Sequence, residues 1–345
     1  MVHDKPLLAV LKGERRDPPP AWMMRQAGRY LPEYRKVRAT APDFIAFCLD
    51  PEKAAEVTLQ PIRRFGFDGA IVFADILLIP MTLGRRVWFE KGEGPKLDPL
   101  AMSDVDSLTI GDAETRLGPV GETLSRVRAA LPHETTLIGF AGAPWTVATY
   151  MIEGGGSKDR LQSRAAAWRE PERFDRLLDL LATATARYLV MQARSGADAL
   201  KIFDSWAEGL PEPLFERVVI APTKAIVDQV RAAGVTVPII GFPKGAGTHY
   251  ARYAAETGID AIALDHGLDP VWADAALPQG MPVQGQLDPS ALFAGGEALD
   301  SEIARILAAW KNRPHIFNLG HGISPDVPVA HVERLLECVR GKAGA

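Results

Sequence analysis

ALKIFD at residues 199–204 is followed by VPIIGF at 237–242 and AIALDH at 261–266, and all three are nearly continuous in apolar residues. Strands that expose one face to water alternate apolar and polar side chains, whereas strands buried on both faces of a parallel sheet do not. Working outward, the same kind of run occurs at AWMMRQ (21–26), DGAIVFAD (68–75), TLIGFAG (136–142), PVQGQLD (282–288) and HIFNLG (315–320). Each is followed by turn residues and a stretch with helical spacing. Eight such runs are what a closed (β/α)₈ barrel needs. The expected fold is therefore α/β, a single (β/α)₈ TIM barrel domain over residues 1–345.

The intervening segments carry helix signals. Asp50, Pro51 and Glu52 read as an N-cap, a proline at the first helical position and an acid in the first turn. Phe174, Leu177, Leu178, Leu181, Ala184 and Tyr188 keep helical spacing between Pro171 and Ala193. Ile303, Ile306, Leu307 and Trp310 do so after Asp300, and a last helix is expected from Pro328. VWFEKGEGPKLDPL (87–100) reads as a hairpin excursion before another helix.

The chain has 345 residues, 47% hydrophobic and 24% charged, with formal net charge -4. That composition suits a globular protein with a large core. Mild acidity argues against nucleic acid as a partner, which usually demands a basic face. No run is long and apolar enough to span a bilayer, and the first residues lack a signal-peptide core. The two cysteines, Cys48 and Cys338, make neither a disulfide framework nor a CxxC metal motif. A cytoplasmic enzyme without membrane association is the expectation.

Against that acidity stands PAWMMRQAGRYLPEYRKVR (20–38), with Arg25, Arg29, Arg35 and Arg38 beside Trp22, Tyr30 and Tyr34. Guanidinium forks match carboxylates two bonds at a time, so the cluster suits a flat, highly anionic ligand. The bland reading is a solvated charged turn. In a barrel the working residues collect at the carboxyl ends of the strands. Arg25 and Arg29 end the first run, and Asp75 ends the second. Tyr150 follows the third, and Asp204 and Ser205 end the fourth. Lys244, then Asp265 with His266, then Gln286 with Asp288, then His321 close the remaining four. Asp75 is followed by Ile76, Leu77, Leu78 and Ile79, where an acid is costly unless it works or pairs. It could equally cap a helix. His321 lies between Gly320 and Gly322, where backbone can approach a ligand closely, or where a turn simply needs room. Lys244 in GFPKGAG invites Schiff-base or phosphate-cradle readings, but the loop lacks P-loop spacing. Asp265, His266 and Asp288 lack metal-motif spacing, so no metal is expected.

These segments together resemble the uroporphyrinogen decarboxylase family over nearly the whole chain. The resemblance rests on MRQAGRYLPEYR, GFDGAIVFADILLIP, GFAGAPWTVATYMIEGGGSKD, KIFDSWAEGL, GFPKG, LDHG, VQGQLDP and FNLGHGI, in that order. It implies a single (β/α)₈ barrel, usually a homodimer, with no cofactor. It implies removal of the four acetate carboxyls of uroporphyrinogen III to give coproporphyrinogen III in haem biosynthesis. By the same match Asp75, Arg25, Arg29 and Tyr150 are the catalytic set, with Arg25 a candidate proton donor. Gln26, Phe73, Phe203, Ser205 and His321 join them in binding substrate, and Tyr34 and Arg38 fall nearby. One departure is Glu208 in DSWAEG, where the family more often has glycine after the alanine. The rival reading is a methyltransferase of the same fold, whose zinc is held by cysteine and histidine. Here neither Cys48 nor Cys338 belongs at the mouth, and the arginines would go unexplained. A non-catalytic tetrapyrrole carrier and an aldolase using Lys244 are further rivals.

Overall fold

A computed structural model describes residues 5–90, 94–111 and 113–341. Its strands are β1 (Gly69–Ile71), β2 (Val87–Glu90), β3 (Gly94–Leu97), β4 (Thr136–Gly142), β5 (Ala199–Asp204), β6 (Ile239–Pro243), β7 (Ala261–Ala263), β8 (Val283–Gln284) and β9 (His315–Ile316). Seven form one parallel sheet in the order β1-β4-β5-β6-β7-β8-β9, and helices cover it. The fold is the expected α/β barrel type.

The first run is not the eighth strand that its apolar character suggests. Only Ala21 makes a bridge, parallel to Phe317. The segment nevertheless spans the gap between β9 and β1. The Phe317 amide donates to the Pro20 carbonyl at 2.9 Å, and the Asp68 amide donates to the Ala21 carbonyl at 3.0 Å. Beyond Trp22 the chain turns, because the Gln26 side chain accepts from the Met23 amide and the Gln26 amide donates to the Met23 carbonyl. A turn cannot continue a ladder, so the arginines beyond it leave the sheet plane.

β2 and β3 form the expected antiparallel hairpin; its tip, residues 91–93, lies outside the described residues. The helix Pro51–Phe65 starts where expected, and the Asp50 carboxylate accepts from the Lys53 amide at 3.0 Å. Pro171–Arg194 buries the expected stripe from Phe174 to Tyr188. It packs against Ala113–Ala130 and Ala221–Ala232 in the outer layer. Each such fully buried side chain contributes about 1.5–3 kcal/mol. The helix carrying Ile303 begins at Gly296, earlier than Asp300, and the last helix is Val329–Val339 with Pro328 at its N-cap. Among the described residues no helix is long and apolar enough to cross a membrane.

Candidate active site

Period-two geometry puts Lys201, Phe203 and Ser205 on one face of β5 and its exit, and Lys201 contacts identify that face as the barrel interior. Its Nζ lies 5.1 Å from the Trp22 ring centre, 4.8 Å from Phe203 and 5.0 Å from Phe242. Phe203 also meets Phe140 edge-on at 5.5 Å. These rings fill the barrel beneath the mouth, so polar chemistry is confined to the ends of the strands above them.

At that end Asp75 follows β1. Its Oδ1 accepts from the Leu77 amide at 2.8 Å, and its Oδ2 has no hydrogen bond among the described residues. It keeps a partly open surface yet sits deep among protein atoms, and burial pushes its carboxyl up to about 6. The Leu77 bond and the nearby charge of Arg25 oppose that rise but do not cancel it. Arg25 is not ion-paired with it.

The four arginines divide into two pairs. Arg35 Nη1 donates to the Arg29 carbonyl at 2.6 Å, and Arg38 Nη1 donates to the Ala41 carbonyl at 3.1 Å. Arg38 also lies over the Phe47 ring, 5.6 Å from its centre. Those two are spent on holding the turn and its helix Pro32–Arg38. Arg25 and Arg29 are exposed and pair with no carboxylate among the described residues. Arg25 has φ +64°, left-handed for a residue with a Cβ. That conformation costs about 1–2 kcal/mol, and such strain gathers at functional sites.

The Arg25 stem packs on Gly322, the residue after His321. A Cβ on Gly322 would collide with the Arg25 side-chain stem, and one on Gly320 would collide with the His266 backbone. The glycines flanking His321 therefore make room for neighbouring protein, a different reason from the ligand approach expected of them. Burial, with Arg25 and Lys244 close by, lowers His321 to about 4, so its ring is neutral at physiological pH. Tyr150, on the helix Pro144–Glu153, stacks on Trp206 with ring centres 4.0 Å apart. Burial raises its hydroxyl to about 12, and Asp75 adds to the rise, so it stays protonated.

Phe73 and Tyr34 form one wall. They meet at 5.7 Å, and Phe44 and Phe47 pack on Phe73 at 5.9 and 4.9 Å. The hairpin joins this wall through Phe89, 4.4 Å from Phe44. Ser205 sits in the turn after β5. Gln26 is placed otherwise than expected. It is fully buried, with its amide donating to the Gly69 carbonyl at 3.0 Å and accepting from Met23, so it fixes the arginine turn.

Several residues at the strand ends serve the scaffold. Asp265 accepts from the Gly245 amide and the Tyr250 hydroxyl, each at 2.8 Å, and from the Gly267 amide at 2.9 Å. Asp288 caps Pro289–Ala294, and Gln286 donates to the Asp265 and Leu268 carbonyls. Among the described residues no group of three or more His, Cys, Asp or Glu side chains is placed to hold a metal. Cys338 donates to Asp300 at 3.3 Å on the outer layer. Cys48 lies nearer the site than its sequence context suggests. It is fully buried, and burial first and Asp75 second push its thiol well up.

Trp206, stacked on Tyr150, is not among the site residues expected from the sequence. Its signal was its place two residues after Asp204, in a loop that also carries Ser205.

The arrangement is that of a barrel-type enzyme in which the Asp75 carboxylate lies within electrostatic reach of Arg25. The uroporphyrinogen decarboxylase (URO-D) family profile matches residues 2–341. The chain is 67% identical over 339 residues to the uroporphyrinogen decarboxylase of Maricaulis maris (strain MCS10), covering 98% of both. It is 58% identical over 337 residues to that of Sphingopyxis alaskensis, again covering 98% of both. Among solved structures, a methyltransferase from Methanosarcina mazei superposes with TM-score 0.80 over 100% of both chains, at 17% identity. At that identity the likeness is one of fold. The chain belongs to the uroporphyrinogen decarboxylase family.

Proposed function

We propose that the mouth of this barrel decarboxylates the four acetate side chains of uroporphyrinogen III, giving coproporphyrinogen III and four molecules of carbon dioxide. The family makes the chain a carboxy-lyase of tetrapyrrole biosynthesis. The roles of individual residues are our reading. The observation that carries it is Asp75, a buried carboxylate with one oxygen free of hydrogen bonds, close to the unpaired Arg25.

The bond to the departing carboxyl can break only if its electrons have a sink. Protonation of the adjacent pyrrole carbon makes a cationic, iminium-like ring. Asp75 accepts hydrogen bonds from the pyrrole N–H groups and stabilises that cation where the surroundings are poorly polarisable. Carbon dioxide leaves with the carboxylate carbon, and its bonding electrons return to the ring system. A second proton then makes the methyl group and the first leaves the ring carbon, restoring the pyrrole, so each cycle turns one CH2–COO⁻ plus one net proton into CH3 plus CO2. Arg25 and Arg29 hold carboxylates as bidentate partners. The protonated Tyr150 and neutral His321 donate or accept single hydrogen bonds at the rim, as does Ser205. Phe73 and Phe203 support the rings. We read the working enzyme as a homodimer.

Incubating the protein with uroporphyrinogen III under anaerobic, reducing conditions, then oxidising and separating porphyrins by carboxyl number, tests this. Species with seven, six, five and four carboxyls should appear in sequence. Recovery of only the eight-carboxyl species from folded protein would reverse the assignment. Replacing Arg25 or Arg29 with methionine removes one charge-assisted pair, worth about 1.5–3 kcal/mol. Substrate affinity measured by titration should fall about tenfold or more. Unchanged affinity in both variants would count against the pocket.

A further inference from the structure

Glu208 is a carboxylate placed among groups suited to bind someone else's carboxylate. It follows β5 by four residues, in the loop that carries Ser205 and Trp206. Its Oε1 takes a hydrogen bond from Arg160 Nη1 at 3.0 Å, and its Oε2 lies 3.4 Å from Lys244 Nζ. Arg160 comes from the segment after the Tyr150 helix and Lys244 from the end of β6, so Glu208 ties three mouth loops together. A Cβ on Gly245 would stand 2.5 Å from the Glu208 Cβ, which shows how closely the two loops pack. Arg164 adds a bond to the Gly209 carbonyl at 3.0 Å.

The two partners differ. The Arg160 side chain is 8% exposed and its pair is short, so that contact is architectural. Lys244 is 22% exposed, and its pair with the 44% exposed Glu208 is long and poorly shielded from water. Such a pair is weak and exchangeable. Lys244 also stands close enough to His321 for its charge, with that of Arg25, to act on the ring. It therefore borders the proposed substrate pocket. Burial alone would raise the Glu208 carboxyl, but Arg160 and Lys244 outweigh that and hold it below the usual range, so it is anionic throughout neutral pH.

We propose that Glu208 is a resident counter-carboxylate that occupies Lys244 while the mouth is empty, and that a carboxylate of the tetrapyrrole takes Lys244 from it on binding. The proposal rests on the functional reading above. The exchange trades one carboxylate for another, so Lys244 adds less affinity than an unpaired lysine would. Glu208 thereby limits the grip on an eight-carboxylate substrate and eases release of the four-carboxylate product. It is a specificity-setting residue that acts through Lys244 and leaves the decarboxylation step itself to Asp75.

The test compares the parent with Glu208→Gln, Lys244→Met and the double variant, using uroporphyrinogen III and the five-carboxyl intermediate. In Glu208→Gln the freed ammonium should lower KM for the eight-carboxyl substrate by about threefold. The dependence of kcat/KM on salt should steepen and product should dissociate more slowly. The effect on the five-carboxyl intermediate should be smaller. Adding Lys244→Met should return KM to that of Lys244→Met alone. A purely structural clasp would lower stability and kcat without lowering KM or steepening the salt dependence, and that result overturns the proposal. Should Glu208→Gln not fold, Lys244→Met decides. It must raise KM for the eight-carboxyl substrate more than for the five-carboxyl one, and equal effects overturn the proposal. A parent enzyme that releases no carbon dioxide would overturn the functional reading and this inference with it. An active parent with unchanged KM in Glu208→Gln overturns the inference alone.

Discussion

Asp75→Asn should leave the fold intact and reduce kcat/KM by at least about a hundredfold, the scale lost when one preorganised group facing transition-state charge is removed. An amide can still accept from the Leu77 amide, so the loop should hold. It cannot offset a cationic ring. The acid limb of the parent's kcat/KM should fall as pH drops through about 6, the value to which burial raises this carboxyl. The limb should vanish from the residual activity of the variant. Stability moves the other way. The folded carboxyl titrates at about 6 against 3.8 when unperturbed, so between those values the folded state binds the proton more readily than the unfolded one. Parent stability therefore declines as pH rises through that window, and the penalty is complete above about 6. Asp75→Asn removes it and should gain about 1–3 kcal/mol at pH 7. Thermal unfolding at pH 4 and pH 7 checks the sign. A variant that kept near-parent turnover would refute the proposed charge stabilisation, and one no more stable at pH 7 would refute the desolvation reading.

The second large effect is at Lys201. This lysine is fully buried, its Nζ has no hydrogen-bond partner among the described residues, and three aromatic rings surround it. Ring faces favour an ammonium by about 2 kcal/mol or more when desolvated. The cost of an unpaired buried ion is far larger, so desolvation wins and lowers the amine well below its usual value. The unfolded chain then holds a proton that the folded chain gives up. Parent stability rises with pH until the unfolded lysine itself deprotonates near about 10.4. Lys201→Met keeps an unbranched stem and removes the orphan amine. It should stabilise the protein by about 1–3 kcal/mol at pH 7, with the gain shrinking towards pH 10. Urea unfolding at the two pH values measures this. An equal gain at both, or a loss, would mean that the amine is charged and held by something other than the rings.

The parts of this fold that could be read from the chain are those whose cause is local. TLIGFAG and ALKIFD became β4 and β5 residue for residue, because a continuous apolar run has few alternatives to a buried strand. Asp50-Pro51 marked its helix because the capping carboxylate and the amide that donates to it are three residues apart. AWMMRQ misled because its apolar content was the same, while the decisive bond, Gln26 to the Gly69 carbonyl, spans 43 positions. The division of the arginines was equally hidden, since backbone carbonyls receive Arg35 and Arg38 and carbonyls leave no mark in a sequence. Arg25 in a left-handed conformation could not be anticipated for a residue other than glycine or asparagine. Lys201 passed as one polar letter in an apolar run, although its shared parity with Phe203 was a usable sign. Asp75, Tyr150, Ser205 and His321 were legible as places. Their electrostatic states depend on burial by distant segments.

The seam between β9 and β1 has a further meaning for the life of the chain. Ala21 and Phe317 are 296 positions apart, and bringing such distant points together costs about 5 kcal/mol of chain entropy. Arg25 hangs from that seam, and its stem packs on Gly322. During synthesis Arg25 and Asp75 are made early, yet Arg25 cannot be seated until Gly322 has been made and folded against it. A polyanion bridging Arg25 and Asp75 would bind the closed seam alone and so hold its two sides together.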